Sequence, residues 1–136
     1  MKTILTFILF SLSCHFGYSQ AKDCGKFKNG TFKLTDPATK KVCIITRDGN
    51  TQTEKMEESD EVYDFDVVWL DDCTFTLTPT PASAAKNKDV LKVGTMTVKI
   101  TQTKEGSYIQ KATVATNPKF RRVDELFVVE YMDENK

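Results

Sequence analysis

The sequence predicts an all-β domain, an antiparallel meander of seven or eight strands that closes into a small barrel or folds over as a sandwich. Three observations carry this expectation. Apolar and polar residues alternate along most of the chain, short turn signals separate the alternating runs, and no stretch shows helical spacing.

The elements follow in order. Phe32 and Leu34 share one face of a first strand, and Val42 to Thr46 forms a continuous apolar strand. Asp48-Gly49 is a hairpin signal ahead of Thr51 to Met56. In Val62 to Leu70 the side chains of Tyr63, Phe65, Val67 and Trp69 fall on one face, and Asp64 and Asp66 on the other. Cys73, Phe75 and Leu77 alternate with Thr74, Thr76 and Thr78, and Asp71-Asp72 joins this run to the preceding one as a tight hairpin. Met96, Val98 and Ile100 alternate with Thr97, Lys99 and Thr101, after which Lys104-Glu105-Gly106 turns the chain into Ser107 to Ala115. After a turn at Asn117-Pro118, the last run places Phe127, Val129 and Tyr131 on one face. A flat sheet of these strands would leave two open edges, which closure or folding over removes. Thr78 to Asp89 is the one long irregular segment, expected as a solvated crossover loop or a flap over a barrel mouth.

Composition narrows the class. The 136 residues make room for one domain. Nineteen basic residues balance nineteen acidic ones, so the clustered excess of base that marks a nucleic-acid footprint is missing. Hydrophobic residues at 40% and charged residues at 28% exclude both intrinsic disorder and a transmembrane bundle.

Residues 1–19 read as a secretory signal peptide. Lys2 gives one positive charge, Ile4 to Leu12 is apolar apart from Thr6 and Ser11, and Gly17 and Ser19 are the small residues ahead of a cut. The apolar run is about half of the roughly 20 residues that span a bilayer. The competing reading is a lipoprotein signal ending in a lipid-modified Cys14, with Ser11 where a Leu is usual. Residues 20–136 are then a single extracytoplasmic domain, periplasmic or secreted. Cleavage removes Cys14 and His15 and leaves three cysteines and no histidine. Ser-His-Asp and Cys-His catalysis, His-ligated zinc and histidine pH switching are excluded for such a chain.

Four segments carry a resemblance: Cys24 to Phe32, Ile45 to Glu54, Val68 to Leu77 and Thr97 to Tyr108. They contain a Cys and a Phe just before Gly30-Thr31-Phe32, Arg47 followed by a polar turn, and Trp69 four residues before Cys73. In these elements the chain resembles a family of small exported bacterial proteins with no established activity. Members often carry the label of a DNA topoisomerase, for which this chain is too short and, overall, uncharged. The chain is also similar to the lipocalin-type barrels, which open with Gly-x-Trp and stack a late Arg or Lys on that ring. Here Phe32 replaces the Trp, and Arg121 or Arg122 precedes the last strand.

Cys24 and Cys73 stand at strand starts beside polar turns and belong to the pattern shared with that family; they are expected to be disulfide-bonded. A bridge closing about 50 residues contributes on the order of 4 kcal/mol through the unfolded chain. Other pairings would use Cys43, which sits in the apolar Val42-Cys43-Ile44-Ile45 run and reads as a small buried hydrophobe.

Two charge clusters remain. Nine acidic residues lie between Glu54 and Asp72 against the single base Lys55. Oxygen ligands suit calcium, but the spacing wraps no ion, so a solvated face is expected and no metal. Paired carboxylates among Asp64, Asp66, Asp71 and Asp72 could do the acid-base work of a carboxylate-dependent hydrolase, the last-ranked reading. Lys119-Phe120-Arg121-Arg122 is the basic counterpart, either a turn flank or an anion contact.

The functional expectation is a non-enzymatic barrel domain that binds a small apolar ligand or an envelope partner and needs no cofactor. Phe32, Tyr63, Phe65, Trp69, Phe75, Tyr108, Phe127 and Tyr131 would line its interior, with Arg121 beside them. An interaction or inhibitor protein acting through residues 78–89 is the second expectation. Whether the aromatics enclose a cavity or fill it is left open.

Overall fold

The structure, a computed structural model, describes residues 22–129. Eight antiparallel strands follow one another around a closed barrel: β1 (Gly30–Thr35), β2 (Val42–Asp48), β3 (Thr51–Met56), β4 (Val62–Trp69), β5 (Thr74–Pro79), β6 (Met96–Thr103), β7 (Ser107–Val114) and β8 (Asn117–Val128). Closure rests on a short seam in which Phe32 pairs with Val128 and Lys33 with Phe127. With no free edge, the barrel removes the row of unpaired backbone groups that a sandwich of these strands would keep.

A 3₁₀ turn, Cys24–Phe27, precedes β1 and closes one end. Three contacts hold that segment across the end. Cys24 is disulfide-bonded to Cys73 in the β4–β5 turn, the Asp23 amide donates to Thr103 Oγ1 at 3.1 Å, and Lys26 Nζ donates to the Glu105 carbonyl at 3.3 Å. The odd-numbered strands run away from this closed end and the even-numbered ones return to it. The first glycine of the barrel has a steric reason. Gly30 has φ of +140°, and a Cβ there would lie 3.3 Å from the Phe32 ring, so the ring folds back over a backbone that carries no side chain.

Period-two burial holds on most strands. Phe65 and Val67 on β4, Phe75 and Leu77 on β5, and Val98 and Ile100 on β6 all face inward, as their alternation predicts. The β2–β3 connection is the expected tight hairpin, with Asp48 paired to Thr51 and Gly49 at φ +57°. The β4–β5 connection is longer than expected and takes in Leu70 to Cys73; the Leu70 and Asp71 amides both donate to the Thr74 carbonyl.

Two expectations are corrected. The segment read as an irregular loop folds into two short helices, α1 (Pro81–Lys86) and α2 (Lys88–Val93). Thr80 caps α1 by accepting from the Ser83 amide, and Pro81 occupies the first turn, where its missing N–H costs nothing. The helix is tied to the barrel: Ser83 Oγ accepts from the Asp64 amide at 2.7 Å, and Lys86 Nζ donates to the Val62 carbonyl at 2.9 Å.

The second correction concerns β8. It begins at Asn117, in what was read as a turn, and turns its even-numbered residues inward: Asp124 and Leu126 are buried while Phe127 is 53% exposed. The β7–β8 register shifts between Thr113 and Val114, and the inward positions of β8 include polar residues, so the apolar pattern alone gave the opposite face.

Among the described residues, no helix is long and apolar enough to cross a membrane. The signal-peptide reading, Cys14, His15 and Tyr131 lie outside the described residues.

Candidate functional site

The barrel interior divides into a filled half and an open half. In the filled half, next to the N-terminal turn, Phe27, Phe32 and Tyr108 meet with ring centroids 4.9 to 6.3 Å apart, the Phe32–Tyr108 pair edge to face. At their centre is Arg47, only 2% exposed. Its guanidinium donates three hydrogen bonds: Nε to Gln52 Oε1 at 2.9 Å, Nη1 to the Phe27 carbonyl at 2.7 Å and Nη2 to Tyr108 Oη at 2.9 Å. Its carbon lies 4.6 Å from the Phe75 ring centroid and 5.2 Å from that of Phe32. The buried charge therefore meets oriented acceptors and π faces, and among the described residues Arg47 has no ion-pair partner. Burial raises the Tyr108 phenol above its ordinary value, which keeps it neutral.

Gln52, opposite Arg47 across the β2–β3 ladder, relays this arrangement toward the other half. Its Nε2 donates to Glu54 Oε1 at 2.9 Å. Glu54 lies at the wall of the open half, a cavity of about 340 Å³. Apolar walls come from Leu34, Ile45, Leu77, Val98 and Ala112, and Met56, Met96 and Phe120 complete them. Its polar groups are Glu54, Gln110, and the set formed by Arg122, Asp124 and Asp36. Thr39 and Lys41, from the β1–β2 turn, belong to its rim.

Each of these groups has a definable state. Glu54 is half-buried at the cavity wall, and desolvation pushes its carboxyl above the usual range; the Gln52 donor and the charge of Arg47 oppose the shift. Arg122 is already engaged. Its Nε donates to Asp124 Oδ2 at 2.6 Å and its Nη2 lies 3.4 Å from Asp36 Oδ2. Asp36 accepts from the Thr39 and Ala38 amides, which hold its carboxyl below the usual range and keep it ionised. Gln110 Oε1 is buried and has no hydrogen-bond partner, alone in this among the described side chains.

Cys43, the free cysteine among the described residues, lines the same cavity. Burial first, and the Glu54 charge second, push its thiol up to about 12, so it stays protonated and is a poor nucleophile.

The residues expected to form the site are placed differently. Phe32, Phe75 and Tyr108 fill the closed half, Phe65 is buried on β4, and Tyr63 and Trp69 are half-buried against the core. Phe127 and Arg121 are exposed on β8. None of them lines the cavity. The cation over Phe32 is Arg47 from β2, in place of the expected Arg121 or Arg122, because β2 brings Arg47 inward after Cys43 and Ile45. The acidic stretch does not converge either. Asp64 accepts from Thr53 Oγ1 at 2.7 Å, Asp66 is exposed, Asp71 caps the β4–β5 turn by accepting from the Cys73 amide, and Asp72 lies 3.6 Å from Lys28 Nζ. Among the described residues no group of His, Cys, Asp and Glu could hold a metal ion. The cavity residues Glu54, Gln110, Arg122 and Asp124 had a signal that was missed: each falls on the inward position of its strand, yet each is polar.

The fold and the site define a closed, eight-stranded antiparallel barrel with one half packed and one half hollow. No family model, no curated protein and no solved structure gives a significant match to the chain.

Proposed function

We propose that this protein is a non-enzymatic, exported binding protein that holds a small, largely apolar ligand in the open half of its barrel. The observation that carries the reading is the cavity of about 340 Å³, which falls within the size range of small-molecule sites and combines mainly apolar walls with a few fixed polar groups. The division of labour supports it. The Arg47 cage and the disulfide make the closed half rigid, leaving the other half free of the filling that would otherwise stabilise it. Export agrees with the disulfide, a bond that persists in oxidising compartments, and with the leader-like residues 1–19. A hydrolase is disfavoured by the scattered positions of Asp64, Asp66, Asp71 and Asp72 and by the protonated Cys43.

The test is titration with the neutral fluorescent probe N-phenyl-1-naphthylamine. Saturable binding to the wild type that Ala112→Phe abolishes, with the fold retained by circular dichroism, is the expected result. Binding unaffected by that substitution, or no binding at all, overturns the reading.

A further inference from the structure

We infer that the ligand taken by this lumen carries a protonated amine on its apolar body, and that the amine pairs with the Glu54 carboxylate. The inference rests on the lumen being a binding site and names the chemistry it selects.

The polar groups of the cavity are not equivalent. Asp124 and Asp36 both engage Arg122, so each of these three groups already has a partner within the protein. Glu54 is different. Its one hydrogen-bonding donor is the neutral Gln52 amide, and it has no ion-pair partner among the described residues. The Gln110 amide also lines this cavity, and its Oε1 is buried without a donor. The charged groups of the lining are Asp36, Glu54 and Asp124 against Arg122 and Lys41, so the lumen carries an excess of negative charge, and Lys41 stands on the exposed β1–β2 turn. A purely apolar ligand would dry the space around Glu54 and leave its charge without a counter-ion. A ligand carboxylate beside Glu54 would face that carboxylate and Asp124, with Arg122 already held by two carboxylates and Lys41 out on the exposed β1–β2 turn. An ammonium supplies up to three donors and the missing charge. The surrounding Ile45, Leu77, Val98 and Met96 suit an aliphatic body.

The test compares octylamine, 1-octanol and octanoate at neutral pH by calorimetry, on the wild type and on Glu54→Gln. The expected result is that octylamine binds about tenfold more tightly than 1-octanol, and octanoate most weakly. Glu54→Gln should abolish the preference for the amine over 1-octanol, with far-UV circular dichroism reporting that the variant is folded. Equal binding of the three by the wild type, or tightest binding of octanoate, overturns the amine assignment and leaves the lumen as a binding site. Failure of all three, together with failure of the neutral probe, overturns both.

Discussion

Removing the Cys24–Cys73 bridge tests how the closed end is held. The bond joins positions 49 residues apart and anchors the Cys24–Phe27 turn, whose last residue supplies a carbonyl to Arg47. In the chain-entropy picture, closing a loop of this length stabilises the fold by about 4 kcal/mol at 25 °C. For a domain of this size that is a large share of a typical total of about 5–15 kcal/mol. Replacing both cysteines, C24S/C73S, should therefore lower the free energy of urea unfolding by about 4 kcal/mol and the melting temperature by roughly 20 °C. Equilibrium urea denaturation followed by far-UV circular dichroism gives the number. A loss below about 1 kcal/mol would refute the reasoning, because it would mean that the N-terminal turn is pinned without the bond.

Three further outcomes follow from the interior. Arg47→Lys should cost about 3 kcal/mol in the same assay, because one ammonium cannot reach all three of the acceptors that the guanidinium fork satisfies; a loss within measurement error would show that the cage is dispensable. Cys43 should react with iodoacetamide at pH 8 orders of magnitude more slowly in the folded than in the unfolded protein, since burial keeps it a thiol; equal rates, read by intact mass, would contradict this. Glu54 sets a pH dependence. Its carboxyl is raised in the folded state, so the folded chain binds more protons than the unfolded one between the ordinary carboxylate range and the raised value. Stability relative to Glu54→Gln should consequently fall as pH rises through that window and level off above it; a rise, or no pH dependence of the difference, would remove the assignment.

How much was legible follows from what each half of the barrel contains. Strands β4, β5 and β6 could be read because their inward positions are apolar, and the meander and its closure follow from their order and short turns. The disulfide was also legible, through the polar turns beside Cys24 and Cys73, although Cys24 stands in a 3₁₀ turn and Cys73 in the β4–β5 turn and neither starts a strand. The cavity was not. Glu54, Arg122 and Asp124 occupy inward positions, and their polarity made β3 look like part of an acidic run and gave β8 the wrong face, so that Phe127 was placed inside. Arg47 was visible as an Arg ahead of a polar turn, but three hydrogen bonds and three rings from distant strands decide that it is buried. The helix Pro81–Lys86 had a readable signal in Thr80-Pro81 followed by small residues, and was lost to the proline count of the segment.

The most direct test of the lumen as a binding site is a methyl nuclear magnetic resonance titration with 1-octanol. Binding inside the barrel predicts shifts at Ile45, Leu77, Val98 and Met96, which line the cavity, and little change at Leu126 and Val67, which are buried but do not line it. Shifts confined to the exposed Val68, Leu70 and Val123, or no saturable shift at all, would contradict it.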